Sequence, residues 1–142
     1  MKNKKNSYLG VLDYALVEFL PQKAQYEILK VFLNQKKNSL ALYVMEDETT
    51  HSSSSQLLKK VNEKPKVKGF IFFSLLQISL EEKKNTEIIR QILSNKYEII
   101  FYKENIHIPN MSSYKKRFEK KILLFRHNNI KAIDRLKSLL KY

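Results

Sequence analysis

The most apolar stretch of the chain is Val67-Lys68-Gly69-Phe70-Ile71-Phe72-Phe73-Ser74-Leu75-Leu76, close to the middle of the sequence. Its apolar residues do not alternate with polar ones, as they would in a strand with one face in water. Strands buried on both faces are typical of parallel sheets, whose crossover helices cover the two sides. The stretch therefore predicts a central parallel strand with helices above and below it.

The sequence on either side of this stretch extends the same pattern. Three further apolar runs predict strands: Tyr8–Leu12, Leu40–Met45 and Tyr97–Tyr102. Apolar residues three and four positions apart predict helices: Pro21 to about Lys36, a segment with Leu57, Leu58 and Val61, Glu81–Leu93, Ser112–His127 and Asn129–Leu140. Alternating strands and helices predict an α/β fold in three layers, with a mostly parallel four-stranded sheet and additional C-terminal helices.

Length and composition limit the domain organisation and the classes of function. A chain of 142 residues fits one domain, with a basic arm (1–7), an α/β core (8–108) and a basic helical segment (111–142). Cysteine is absent, which excludes disulfides, thiolate nucleophiles and Cys-ligated metals. Only two glycines occur, too few for a glycine-rich phosphate loop. We see no transmembrane segment or signal peptide and expect a cytoplasmic protein.

The positive charge is concentrated at the C-terminal end. Of the formal net charge of +13, the 32 residues from Met111 to Tyr142 carry +8. The simplest interpretation is a solvated helix surface, away from the strand ends of the sheet. The alternative is a surface that binds nucleic acid or another anionic surface. Its candidate residues are Lys115, Lys116, Arg117, Lys120, Lys121 and Arg126. The two terminal helices are also a candidate dimerisation element, so we expect a homodimer.

Polar residues follow the predicted strands where a parallel sheet binds its ligands, at the carboxyl ends. They are Asp13 and Tyr14, Glu46, Asp47, Glu48, Thr49, Thr50 and His51, Ser74 and Gln77, and Glu104 and His107, with Pro21, Gln22 and Gln25 at the start of the first helix. Carboxylates, amides and hydroxyls suit a hydroxyl-rich ligand, or acid–base chemistry if a carboxylate is desolvated. The alternative is that they are ordinary solvated strand ends.

Candidate roles follow from the chemistry of each side chain. Glu46 or Glu104 would be the general acid or base if there is a reaction, while Ser74 would orient hydroxyls or take part in catalysis. Pro21, Gln22, Gln25 and Gln77 form the candidate substrate-binding set. Three histidines without a close metal-ligand spacing predict no metal site, and we expect no cofactor. The run Ser52–Ser55 has no base beside it and predicts a loop.

The order of elements resembles the catalytic domain of small serine recombinases (resolvases and invertases). The likeness covers about Tyr8 to His107 and includes Gln25 and the acidic pair Glu46-Asp47. The family's nucleophilic serine falls here on Leu12 and its arginines on Gly10, Gln77 and Leu80, while the aspartate that precedes one arginine falls on Leu76; all five are apolar or neutral. Phosphoryl transfer needs that nucleophile and those cations. The resemblance therefore implies a resolvase-like fold and argues against recombinase activity.

A second resemblance, to the sporadic carbohydrate cluster proteins of bacterial surface-glycan gene clusters, is closer. The shared motifs, between about Tyr8 and Ile108, are Pro21-Gln22, Glu46, the segment Gly69–Ile78 with Ser74 and Gln77, and Phe101-Tyr102-Lys103-Glu104. Leu12–Leu16 is more apolar than the Ser/Arg segment that members often carry there. The resemblance implies a role in surface carbohydrate biosynthesis, with a sugar or sugar nucleotide at the strand ends. Whether the chain catalyses a reaction or only binds stays open.

Overall fold

The computed structural model describes residues 6–13, 20–46, 54–78 and 82–139. The strands are β1 (Ser7–Asp13), β2 (Ser39–Glu46), β3 (Gly69–Phe72), β4 (Glu98–Phe101) and β5 (Ile106–Ile108). The helices are α1 (Gln22–Gln35), α2 (Ser55–Asn62), α3 (Glu82–Ser94), α4 (Met111–Ser113), α5 (Glu119–Asn128) and α6 (Ile130–Leu139). A 3₁₀ turn, Leu75–Ile78, follows β3, and a π-helical turn, Tyr114–Phe118, joins α4 to α5.

The described strands form one sheet in the order β2-β1-β3-β4-β5. Neighbouring strands are parallel except β5, which pairs antiparallel with β4. The predicted mostly parallel α/β sheet is confirmed, but it has a fifth strand that the sequence did not indicate. β5 has three residues with exposed His107 at its centre, and a turn closed by Asn105 N–H donating to Tyr102 O at 3.1 Å leads into it.

Helices cover both faces of the sheet, as the apolar pattern predicts. On one face, Leu29 and Leu33 of α1 pack with Tyr8, Ile71 and Ile100. The opposite face holds the larger core, which includes residues of α2, α3, the π-helical turn and α5: Leu57, Val61, Ile88, Ile89, Ile92, Leu93, Tyr114 and Ile122. β3 is buried throughout because it lies between these two layers. The three-layer arrangement is therefore confirmed.

The helices end without glycine. Lys37, Lys64 and Lys96, just beyond the ends of α1, α2 and α3, have φ angles of 62°, 53° and 70°. At α1, Asn38 N–H donates to Leu33 O at 2.8 Å while Lys37 N–H donates to Asn34 O at 3.0 Å. Such bonds give the last helical carbonyls hydrogen-bond partners. They require a left-handed residue just beyond the helix, which is usually glycine because it has no Cβ. Each lysine therefore holds a left-handed conformation that glycine would adopt more easily.

The C-terminal helices pack onto the domain at two places. Arg90 of α3 donates to Glu119 of α5 at 2.8 Å. Ile133 of α6 is fully buried and packs in a small cluster that includes Leu76 and Phe73. Leu76 belongs to the 3₁₀ turn at the carboxyl end of β3, so α6 contacts the very edge that carries the candidate site. The expectation that the basic helices lie away from that edge is thus wrong for α6, because apolar packing on Leu76 holds it there. None of the described helices has the length and apolar character needed to span a membrane.

At Gly69, the backbone of the neighbouring strand β4 lies where a side chain would begin. A Cβ built on Gly69 would lie 2.4 Å from the backbone oxygen of Glu98 on β4. At Gly10 of β1, the nearest atom to such a Cβ is Leu40 Cδ1 at 3.0 Å. A backbone carbonyl held in a sheet cannot move away, whereas the end of a leucine side chain can rotate. Gly69 is therefore required by packing, and Gly10 is less so.

We expect Gly69→Ala to lower the free energy of unfolding by about 1–3 kcal/mol, the usual cost of overpacking a core. Gly10→Ala, in the adjacent strand, should change it by less than about 1 kcal/mol, because only a leucine methyl must shift. Urea titrations of both variants followed by circular dichroism measure the difference. Equal destabilisation by the two alanines would contradict the close approach at Gly69.

Candidate functional site

The buried polar residues of the described chain gather at the carboxyl edge of the sheet. They are Asp13, Gln25, Glu46, Ser54, Ser74 and Gln77, each at most 2% exposed. Asp13 and Glu46 end β1 and β2, and Ser74 follows β3. Burying polar atoms costs free energy unless they are hydrogen-bonded, so their partners indicate what the edge does.

Gln25 of α1 fastens the end of β1. Its Oε1 accepts from Asp13 N–H at 3.2 Å, and its Nε2 donates to Asp13 O at 3.3 Å and to Leu20 O at 2.8 Å. The amide therefore binds backbone on both sides of the segment that leaves β1. Its polar atoms are occupied by the protein itself, which makes Gln25 a positioning residue at this edge.

Gln77 and Ser74 join β3 to β1 in the same way. Gln77 Nε2 donates to Val11 O at 2.8 Å, and Gln77 Oε1 accepts from Ser74 N–H at 2.8 Å. From β1, the chain adds β2 on one side and then β3 on the other, so the strand order reverses between β1 and β3. Ligands of open α/β sheets bind at such a reversal. Gln77 connects these two strands at their carboxyl ends.

Ser74 and Glu104 form a hydroxyl–carboxylate pair. Ser74 Oγ donates to Glu104 Oε2 at 2.7 Å and accepts from Leu76 N–H at 3.1 Å, while Leu75 N–H donates to Glu104 Oε1 at 2.8 Å. The carboxylate thus caps the 3₁₀ turn after β3 and ties it to the β4–β5 turn. Ser74 is 1% exposed, which favours a structural role over attack on a ligand.

Glu46 holds the start of α2. Its two carboxylate oxygens accept from Gln56 N–H at 3.3 Å and from Leu57 N–H at 2.8 Å. A carboxylate is stabilising at this place because the first helical N–H groups lack partners within the helix. Gln22 Nε2 donates to Glu46 O at 3.2 Å, which joins α1 to the end of β2.

Other candidates have different surroundings. Pro21 is exposed and precedes the first residue of α1. His107 lies on β5, where its Nε2 is 2.7 Å from Oε1 of Glu98, the first residue of β4. Tyr14, Asp47, Glu48, Thr49, Thr50, His51, Ser52 and Ser53 lie outside the described residues, as do Leu16 and Leu80. The described carboxyl edge therefore includes Gln22, Gln25, Glu46, Ser74, Gln77 and Glu104.

A groove lies beside this edge, between α1 and the edge strand β2. It has a volume of about 560 Å³ and is lined by Leu12, Gln22, Lys23, Tyr26, Glu27, Tyr43 and Met45. The Tyr26 and Tyr43 rings meet edge to face with centroids 5.4 Å apart, and Tyr43 is 51% exposed. Sequence reasoning missed both tyrosines, since it assigned their segments to a helix and a strand. The run Leu40–Met45 is apolar throughout, so the sequence carries no alternation that would mark Tyr43 as exposed.

The six candidate cations of the alternative function lie between α4 and the end of α5. Lys115, Lys116, Arg117, Lys120 and Lys121 are exposed, and Arg126 is half-buried. Leu123 and Leu124 on the same helix are 37% and 53% exposed. The C-terminal helices thus expose both basic and apolar side chains.

Metal ligands do not converge within the described ranges, where no group of three or more His, Asp or Glu side chains could hold an ion.

No known family model matches this chain, and no curated protein sequence matches it. The fold and site define an α/β domain with a polar edge and an adjacent aromatic groove.

We predict that Ser74 and Glu104 are energetically coupled. Ser74→Ala and Glu104→Ala should each destabilise the protein, but the double variant by about 1–2 kcal/mol less than their sum, because either change breaks the same bond. Urea titrations of the four proteins measure this coupling. The matched control pairs Ser74→Ala with Glu63→Ala, an exposed residue beyond α2, and should be additive. Additivity of Ser74 and Glu104 within about 0.5 kcal/mol would contradict the capping role.

Proposed function

We propose that the chain binds a sugar or sugar nucleotide at the carboxyl edge and serves in bacterial surface carbohydrate biosynthesis. The observation that carries the proposal is the groove between α1 and β2, with Tyr26, Tyr43 and Gln22 in its wall. The class of pathway comes from the resemblance to sporadic carbohydrate cluster proteins, carried by motifs such as Pro21-Gln22 and Gly69–Ile78.

The lining of the groove suits a sugar ring. A sugar presents apolar C–H groups on its faces and hydroxyls around its rim, and an aromatic side chain can pack against the former. Glu27 and Lys23 offer an acceptor and a donor, and Gln22 Oε1 receives no bond among the described contacts. A mostly apolar cleft with a few polar groups is typical of small-molecule sites, and about 560 Å³ is ample for a monosaccharide.

The polar edge supports the groove in this proposal. Gln22 is held by Glu46 O, and Glu46 in turn holds the start of α2. Binding therefore has more support than catalysis, because the polar atoms of Glu46, Ser74 and Glu104 already bond protein backbone or each other. Recombinase activity has no support, since Leu12 stands at the position of that family's serine and Gly10 and Gln77 at positions of its arginines.

A thermal-shift titration tests the proposal with UDP-glucose, UDP-N-acetylglucosamine, UDP and glucose as separate probes. A ligand that binds only the folded protein stabilises it by about 2.7 kcal/mol at one hundred times its Kd. We expect a saturable rise in Tm with at least one sugar-containing probe. Tyr43→Ala should weaken binding by about 3- to 10-fold, the usual worth of an aromatic contact.

Leu42→Ala is the matched control. Leu42 is 50% exposed, next to Tyr43 on the same strand, and pairs in register with Leu9, whose side chain belongs to the opposite core layer. It should leave the affinity unchanged. The proposal fails if no sugar-containing probe raises Tm, or if Leu42→Ala and Tyr43→Ala weaken binding equally.

A second candidate function, nucleic-acid binding by the C-terminal helices, is favoured by one observation. The five candidate cations between positions 115 and 121 are all exposed. Phosphate contacts by such residues release counterions and make the affinity depend steeply on salt. The predicted homodimer would use the same helices, where Leu123, Leu124 and Ile130 are exposed.

A gel-shift titration with random duplex DNA at low and moderate salt tests this function. We expect retardation at low salt that Lys116→Gln/Lys120→Gln reduces and moderate salt abolishes. Lys59→Gln/Lys66→Gln removes the same charge from an exposed region elsewhere and should have a smaller effect. Unshifted DNA at low salt, or equal loss in both double variants, would remove the C-terminal helices as a nucleic-acid surface.

A further inference from the structure

A second cluster of titratable side chains lies on the α1 face of the sheet, at the opposite side of α1 from the groove. Glu98 at the start of β4 is its centre. Glu98 Oε1 accepts a hydrogen bond from Tyr8 O–H at 2.9 Å and lies 2.7 Å from His107 Nε2. Glu98 Oε2 is 3.9 Å from Lys68 Nζ. One carboxylate therefore orients a phenol and an imidazole.

The bonds of Glu98 fix the form of the imidazole. A carboxylate accepts, so His107 Nε2 carries the proton that it shares with Glu98, and Nδ1 is the nitrogen left for another partner. The His107 side chain is 53% exposed, while the Glu98 side chain is 19% exposed. The imidazole is thus oriented from its buried side and accessible on the other. Burial and the bond to Glu98 raise the pKa of Tyr8 well above its usual range, so Tyr8 stays a neutral donor.

A partly enclosed pocket adjoins His107. Its volume is about 210 Å³, and it lies between the C-terminal half of α1 and the β4–β5 hairpin. Its polar lining residues are Tyr8, Lys36, Asn38, Tyr102, Asn105 and His107. At about 30 Å³ per water molecule, it has room for roughly seven waters, or for an ion of the size of phosphate.

The described charges around the pocket favour an anion. Lys36 Nζ lies 5.2 Å over the Phe32 ring, and no described carboxylate forms an ion pair with it. Asn38 and Asn105 add amide donors, and His107 can donate from Nδ1 when it is protonated. No described carboxylate is among the lining residues, and Glu98, which contacts His107, already accepts from Tyr8 and contacts Lys68.

We propose that this pocket binds a small oxyanion, or the oxyanion group of a larger ligand, through Lys36, His107 and the two asparagine amides. Several donors that converge on one concave space match the several acceptor oxygens of such a group. Glu98 is a positioning residue that orients His107. The site is separate from the groove between α1 and β2, so it does not depend on the proposed carbohydrate function.

NMR titrations of the whole chain test the proposal, with sodium phosphate, sodium sulfate and sodium acetate as probes at constant ionic strength set with sodium chloride. We expect saturable shifts of the His107 ring signals and of the side-chain amides of Asn38 and Asn105. Saturation with phosphate or sulfate alone identifies a tetrahedral oxyanion, and saturation with acetate alone identifies a carboxylate. The absence of saturable shifts with all three probes overturns the proposal.

Variants separate a built site from general attraction to a basic protein. Lys36→Gln and His107→Gln should each weaken the binding at least tenfold. Lys30→Gln removes the same charge from an exposed position of the same helix and should leave the affinity within about twofold, because screened surface charges act weakly. Equal weakening by Lys30→Gln and Lys36→Gln overturns the proposal.

The positioning role of Glu98 has its own measurement. In Glu98→Gln, at a pH where the His107 ring is neutral, the ring nitrogen shifts should report a mixed population of tautomers in place of Nε2–H alone. Tyr8→Phe is the milder variant, since it removes one bond to Glu98 and keeps the carboxylate. It should leave the tautomer unchanged. An unchanged His107 tautomer in Glu98→Gln would exclude Glu98 as the residue that orients the ring.

Discussion

The close approach of β3 and β4 at Gly69 is the constraint on which much of this structure depends. Gly69 pairs with Tyr8 on one side and with Glu98 on the other, so the three residues form one row across the sheet. Because the middle residue has no side chain, the Tyr8 ring can reach across β3 and its hydroxyl can donate to Glu98. The same row therefore connects β1, β3 and β4 and contributes Tyr8 to the core on the α1 face. It also positions the carboxylate that orients His107.

The carboxyl edge of the sheet shows a different use of polar groups. Gln25, Gln77 and Glu104 each bond backbone groups at a loop that leaves a strand. A buried amide or carboxylate that fails to find a partner costs about 1–3 kcal/mol, so these bonds to backbone groups stabilise the described strand ends. The polar atoms of these three side chains are consequently engaged within the protein. The groups available to a ligand lie beside it, in the wall formed by α1 and β2.

The sequence predicted the three layers well because a strand buried on both faces has an uninterrupted apolar sequence. The unbroken apolar run at Phe70–Phe72 predicted a strand covered on both faces, and β3 is buried throughout. β5 has no such pattern, since three residues with a histidine between two isoleucines do not distinguish a strand from a loop. Helix ends at Lys37 and Lys96 were placed only approximately, because lysine there gives no sign of a left-handed conformation.

The sequence predicted where the candidate site lies, but it predicted the roles of the individual residues less well. The rule for strand ends located Gln25, Ser74 and Gln77, yet their functions depend on partners such as Asp13 and Val11 that only the fold brings near. Tyr43 was assigned to a strand, and nothing in the sequence marks β2 as the strand at the sheet's edge. Which strand lies outermost is set by crossovers, and their order cannot be read from local patterns.

The positions of both proposed sites follow from the coverage of the sheet by α1. Five strands about 4.8 Å apart span roughly 19 Å between the outer axes, whereas one helix is about 10 Å across. On the face opposite α1, the core includes residues from α2, α3 and α5, but α1 packs on Tyr8, Leu12, Ile71 and Ile100 near the middle strands. The described residues leave its two flanks open. The tyrosine groove lies over β2 on one flank and the His107 pocket over β4 and β5 on the other, so a single helix on a wide sheet accounts for both.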